Sequence, residues 1–203
     1  MVKGDFVYEA NYRSVLRVFH VPRPEFAEEV GYFELLNEIL ARGVDTNVRL
    51  KAKLWQRQMH GDWVDPSGAT AFWRAAQAND VDAMRVLLAG GANPSIRSKN
   101  GVSPLQVATG YGYEPQTSTY IPNARLAAVR YLVEEAGADV ASYDNKGYTP
   151  LHGAGLTAEK NLDVIKYLVA MGADVKARAN QVFGGADDPN VEVEPGTGDS
   201  VAD

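Results

Sequence analysis

The chain has 203 residues, 45% of them apolar and 23% charged, with a net charge of −6 and no cysteine. That balance belongs to a folded domain or a short repeat array. It argues against a nucleic-acid partner, whose phosphate backbone calls for an excess of cations, and it excludes disulfides, thiol catalysis and thiolate metal sites.

No window reaches the ~18 consecutive apolar residues of a membrane-crossing helix, so no membrane insertion is expected. The opening MVKGDFVYEANYR has no apolar signal core. Composition leaves cytoplasm, periplasm and exterior open.

In chain order, residues 4–12 read as the remnant of an earlier loop, and a first helix is expected over residues 14–19. Glu25, Glu28 and Glu29, at i, i+3 and i+4, have the spacing of a solvated helix face. From Gly68 a frame recurs: Gly68-Ala69-Thr70-Ala71-Phe72-Trp73, Gly101-Val102-Ser103-Pro104-Leu105-Gln106 and Gly147-Tyr148-Thr149-Pro150-Leu151-His152, with a faint return at Gly198. A second phrase follows each full copy, at Gly91-Ala92-Asn93-Pro94, Gly137-Ala138-Asp139-Val140 and Gly172-Ala173-Asp174-Val175, and has an earlier copy at Gly43-Val44-Asp45-Thr46. Gly68 and Gly101 are 33 residues apart, Gly101 and Gly147 are 46 apart, and Gly147 and Gly198 are 51 apart. One unit therefore has a bare length and its neighbours carry insertions.

Each unit reads as two helices and a turn. Thr149 and Ser103 are placed to N-cap a helix, and Pro150 and Pro104 sit where a missing N–H costs nothing. Gln106 completes capping-box spacing with Ser103. A second helix follows, as in Asp80-Val81-Asp82-Ala83-Met84-Arg85-Val86-Leu87-Leu88, with apolar residues at helical spacing. Gly91, Gly137 and Gly172 suit the ends of these helices, and Asn100-Gly101 and Asn145-Lys146-Gly147 suit turn tips.

A 33-residue helix–turn–helix unit opened by Thr149-Pro150-Leu151-His152 resembles the ankyrin repeat. The resemblance covers roughly residues 14–203. It implies an all-α solenoid of about four helix–turn–helix units with extended finger loops, right-handed and slightly curved. The expected domain is a single one over 1–203, with units near 12–67, 68–100, 101–146 and 147–197. Residues 198–203 would start a further unit, and stopping there predicts a slice of a longer chain. Long loops and absent cysteines are compatible with a bacterial member. Phe72 and Trp73 stand where the family usually has leucine and histidine.

The resemblance makes His152 structural, bonded to backbone near the helix start. Catalysis would require a second acid–base group or a nucleophile beside it, and no G-x-S-x-G, H-E-x-x-H or P-loop occurs. No enzyme activity, no cofactor and no metal are expected. His20 and His60 lack partners at ligand spacing. Asp187, Asp188, Glu192, Glu194 and Asp199 do not fit the calcium-loop spacing, so a solvated acidic loop is the expectation there.

Four excesses interrupt the repeat: near residues 20–29, with VPRPEF; after Asn47; at GYEPQTSTYIPNA; and at ANQVFGGADDPNVEVEPGT. The second carries Trp55 and Trp63 among Arg49, Lys51, Lys53 and Arg57, and the third carries Tyr111, Tyr113 and Tyr120. Aromatic and arginine side chains supply much of the energy at protein interfaces. Trp55, Trp63, Trp73, Arg57, Tyr111, Tyr113 and Tyr120 are therefore the expected contacts for a protein partner, against the alternative that these aromatics cover the chain's own apolar surface. Possible self-association is expected between the acidic last excess and the basic second one. The rival functions are a structural subunit of a larger assembly or filament, and a non-catalytic part of a larger enzyme or sensor.

Overall fold

The computed structural model describes residues 2–3, 6–11, 14–20, 28–30, 32–51, 64–112, 124–156 and 161–180, with side chains from residue 36 onward. The chain opens with four antiparallel strands in sequence order: β1 (Val2–Lys3), β2 (Phe6–Asn11), β3 (Ser14–His20) and β4 (Glu28–Val30). Tyr8 pairs with Val18 and Glu9 with Arg17 across β2 and β3, and Val18 pairs with Val30 across β3 and β4.

This corrects three expectations. Residues 14–19 form a strand instead of a helix, the segment before them is a paired strand and no loop remnant, and Glu28 and Glu29 lie on a strand and not on a helix face. The first excess therefore joins two strands. The physical reason is compositional: Val7, Tyr8, Val15, Val18 and Phe19 are β-branched or aromatic and favour a pleated surface when a partner strand is at hand.

From residue 32 the described chain is helical, as the repeat reading requires: α1 (Tyr32–Ala41), α2 (Ala71–Gln77), α3 (Val81–Ala89), α4 (Pro104–Ala108), α5 (Arg125–Arg130), α6 (Pro150–Gly155) and α7 (Leu162–Ala170). A π-helical turn over Tyr131–Glu135 extends α5. α2, α4 and α6 stack in one layer, α1 meets α3 and α5 meets α7 in the other, and α1 also lies beside β3.

The helix starts are built by local chemistry. The hydroxyl of Thr70 accepts from Trp73 N and the carboxylate of Asp80 from Ala83 N, so at each of these two helix starts one of the four orphan N–H groups has a side-chain acceptor. Ser103 and Gln106 form a full capping box: Gln106 N donates to Ser103 Oγ at 3.2 Å and Ser103 N to Gln106 Oε1 at 2.8 Å. Thr149 and His152 build the same device, with Thr149 N donating to His152 Nδ1 at 3.1 Å and His152 N to Thr149 Oγ at 3.4 Å.

Trp73, Gln106 and His152 occupy one position of successive units. Trp73 Nε1 donates to Val102 O at 2.9 Å and Gln106 Nε2 to Tyr148 O at 2.7 Å, so each reaches the next unit's chain just ahead of its cap residue. Phe72, Leu105 and Leu151, one residue earlier, are almost wholly buried in the layer of first helices, and Met84, Leu132 and Leu168 fill the second.

The fingers are coupled by backbone. Lys99 N donates to Ser67 O (2.7 Å), Asn145 N to Asn100 O (3.1 Å) and Asn180 N to Lys146 O (2.8 Å), one rung for each pair of neighbouring fingers. The residue after each acceptor is glycine, and at Gly101 the reason is steric as well as conformational. Its φ is +80°, and a Cβ there would lie 2.5 Å from Asn145 Oδ1 and 3.1 Å from Asn145 N.

Candidate functional site

The sequence-predicted contact residues divide three ways. Trp55, Arg57 and Trp63, like Tyr113 and Tyr120, lie outside the described residues, and so do the acidic positions from Asp187 to Asp199. Trp73 is fully buried, its indole N–H committed to Val102, so it is a core residue instead of a contact. Tyr111 is likewise buried, with its hydroxyl donating to Asp144 Oδ2 at 2.8 Å. The correction has one cause in both cases: each ring sits where a unit needs a large side chain to meet the next unit. Aromaticity alone does not separate that demand from a binding role.

Tyr111 centres a buried polar cluster. Asp144 Oδ1 accepts from Lys146 N and Tyr148 N, both at 2.9 Å, while Oδ2 takes the Tyr111 hydroxyl. Burial, reinforced by the Asp144 carboxylate, pushes the Tyr111 phenol far above its ordinary range. Tyr148 stacks between Tyr111 and His152, with ring centroids 5.5 Å from each. This cluster binds the third finger to the helices, with its acidic and phenolic atoms turned to one another.

Two of the excesses meet. Val64, the last residue of the second excess, is buried and packs against Gly112, the first residue of the third. A Cβ on Gly112 would collide with Val64 Cγ2. The segments bearing Trp55 and Trp63 on one side and Tyr113 and Tyr120 on the other therefore join the fold at a shared point.

The outer helices carry a ladder of charge and ring contacts. Arg85 pairs with Glu135 at 3.2 Å and lies 5.4 Å from the Tyr131 ring centre. Arg130 pairs with Glu134 at 3.3 Å and lies 5.3 Å from Tyr167, whose hydroxyl donates to Glu134 at 2.9 Å. Burial and this bond raise the Tyr167 phenol, against a lowering by Arg130. Burial and Glu135 raise that of Tyr131, against Arg85. These pairs are about half exposed, so each adds only a few tenths of a kcal/mol to about 1.

A second row of cations lies on the finger edge; Arg49 and Lys51 stand out in the sequence as part of the basic second excess, whereas Arg97, Lys99 and Lys176 do not. Arg49 donates through Nε to Gly68 O (2.8 Å) and through Nη2 to Arg97 O (2.6 Å), and Arg97 Nη1 donates to Tyr143 O (2.9 Å). Arg49, Arg97, Tyr143 and Arg178 each stand six residues after the finger glycine, a recurrence that was there to be found. Among the described residues, no three His, Asp or Glu side chains gather as a metal site would require, and no described helix is long and apolar enough to cross a membrane.

Comparison with known proteins matches residues 67–99 and 146–180 to the ankyrin repeat. Alpha-latrocrustotoxin-Lt1a of Latrodectus tredecimguttatus is 30% identical over 117 residues, 58% of this chain and 7% of the toxin. The ankyrin repeat and KH domain-containing protein mask-1 of Caenorhabditis elegans is 27% identical over 169 residues, 83% of this chain and 5% of that protein. Ankyrin repeat domain-containing protein 49 of Homo sapiens is 43% identical over 53 residues, 26% of this chain and 21% of its own length. The chain thus corresponds to a small part of each of these relatives. With paired helices, Thr-Pro-Leu-His capping and stacked fingers in one molecule, residues 67–99 and 146–180 of this chain are ankyrin repeats.

Proposed function

We propose that this chain is a non-catalytic module that binds a protein partner along its concave groove and through the aromatic-bearing insertions. Ankyrin repeats generally mediate protein–protein interaction, and the family is generally non-catalytic. The observation that carries the finer reading is the contact of Val64 with Gly112, which roots two insertions side by side. Trp55, Trp63, Arg57, Tyr113 and Tyr120 are the proposed contacts, because large aromatics and arginine dominate interface energetics.

The test is a cross-linking pull-down from lysate of the source organism, with the chain compared against a Trp55→Ala/Trp63→Ala/Tyr120→Ala variant of verified fold. A specific partner lost in the variant supports the insertions as the contact. A partner captured equally by both moves the contact to the groove, and capture of no partner refutes the module.

A second reading is a structural subunit of a larger assembly. It is favoured by α7, where Leu162, Val169 and Met171 are 55%, 41% and 45% exposed. Such a face on a repeat array suits end-to-end packing, including self-association. Sedimentation of the purified chain across concentration and salt tests it, since a constant monomer mass removes it.

A further inference from the structure

We propose that the finger edge is a docking surface for an extended acidic segment of the partner protein, with carboxylates at every third residue. This deepens the protein-binding reading and rests on it. Among the cations on this edge, Arg49, Lys51, Arg97, Lys99 and Lys176 are exposed, together with Tyr143, which is 65% exposed. Their disposition runs against the chain's overall charge of −6.

The hydrogen bonds of Arg49 and Arg97 leave the charge of these two side chains available. The Arg49 and Arg97 guanidinium groups bond to neutral backbone carbonyls, whereas the ion pairs of Arg42, Arg85 and Arg130 lie on helices. Three finger carboxylates accept from backbone of their own loops: Asp45 from Asn47 N, Asp139 from Ala141 N and Asp174 from Lys176 N. The arginine fork remains suited to a carboxylate, and a partly satisfied guanidinium keeps further donors.

The spacing follows from the stack. Packed helices stand about 8–10 Å apart, and the fingers, which join those helices and are tied to one another by the backbone rungs, repeat with the same stack. A segment in the extended polyproline II conformation rises about 3.1 Å per residue with three residues per turn, so every third side chain returns to the same face about one finger further on. Tyr143, between Arg97 and the fourth finger, offers a ring beside the row.

The experiment is fluorescence anisotropy with a dye-labelled peptide of about 12 residues bearing glutamate at every third position. Its comparators are the same composition with the glutamates bunched, the glutamine analogue, and a single-stranded oligonucleotide. The proteins are the full chain, Lys99→Glu/Lys176→Glu, and Lys166→Glu, which changes an exposed cation on α7. Folding of each is checked by far-UV circular dichroism.

The spaced peptide is expected to bind at least about threefold more tightly than the bunched one and to weaken as salt rises from about 50 to 200 mM. The finger variant should lose about tenfold or more, with Lys166→Glu close to wild type. Equal binding of spaced and bunched peptides, or equal loss in Lys166→Glu, overturns the proposal. Tighter binding of the oligonucleotide, lost in the finger variant, overturns it in favour of a phosphate backbone. In the pull-down, a partner kept by the finger variant sinks the finger edge but leaves the binding module standing, whereas no partner at all sinks both.

Discussion

Gln106→Leu removes one of the bonds between units while keeping side-chain volume nearly constant. Gln106 is wholly buried, and its amide spans two units, accepting from Ser103 N and donating to Tyr148 O. In the leucine variant the buried Ser103 N–H has no acceptor, at a cost of about 1–3 kcal/mol, whereas Tyr148 O keeps its bond from Asp144 N and loses only the second, worth about 1 kcal/mol. The added apolar burial offsets part of this, leaving a net loss near 2–3 kcal/mol. With a urea dependence of about 2 kcal/mol per molar, the unfolding midpoint should fall by about 1–1.5 M, read from ellipticity at 222 nm. A fall below about 0.3 M would refute the reasoning, because the inter-unit amide would then be carrying little of the stability.

Three further perturbations test other parts of the same account. His152→Gln should stay within about 1 kcal/mol of wild type in urea unfolding, since Gln106 builds the equivalent box with Ser103, whereas His152→Ala should cost about 2 kcal/mol or more. Gly101→Ala should lower the midpoint by the equivalent of about 1–3 kcal/mol and speed hydrogen exchange at the Asn145 amide, because its Cβ enters the space of Asn145. Tyr111→Phe tests a linkage: the folded-state phenol is raised above its unfolded value of 10.0, so its contribution is complete below pH 10 and is lost as pH rises beyond that. The stability advantage of wild type over the variant, measured by urea unfolding between pH 8 and 11, should therefore shrink at the alkaline end, and a constant gap would contradict the assignment.

What was legible in the sequence was what local chemistry determines. Ser103, Pro104 and Gln106, and Thr149, Pro150 and His152, announce helix starts because a cap acts within three or four residues of chain. Residues 14–20 were not legible as a strand, since their pairing with β2 and β4 is a tertiary fact and a short apolar run fits either period. Trp73 and Tyr111 carried the right signal for the wrong role. Aligned with Gln106 and His152, Trp73 occupies the position that turns toward the next unit, and that placement outweighs its ring as evidence. Arg49 was legible as part of a basic stretch, but its grouping with Arg97 was not, because the two stand 48 residues apart and only stacking brings them side by side.

The backbone rungs between fingers also bear on how such a chain can change. Each rung is closed by residues close to a turn glycine, whereas the long excesses enter elsewhere: one ends at Val64, ahead of the rung at Ser67, and another begins at Gly112, between α4 and α5. Closing a flexible loop costs only about 0.6 kcal/mol more for each doubling of its length. Stretches can therefore be lengthened, shortened or rewritten at those two places while the hydrogen bonds that hold the stack stay in register. Stacking and display are thus encoded in separate stretches of chain, and variation in what is displayed carries little penalty in folding.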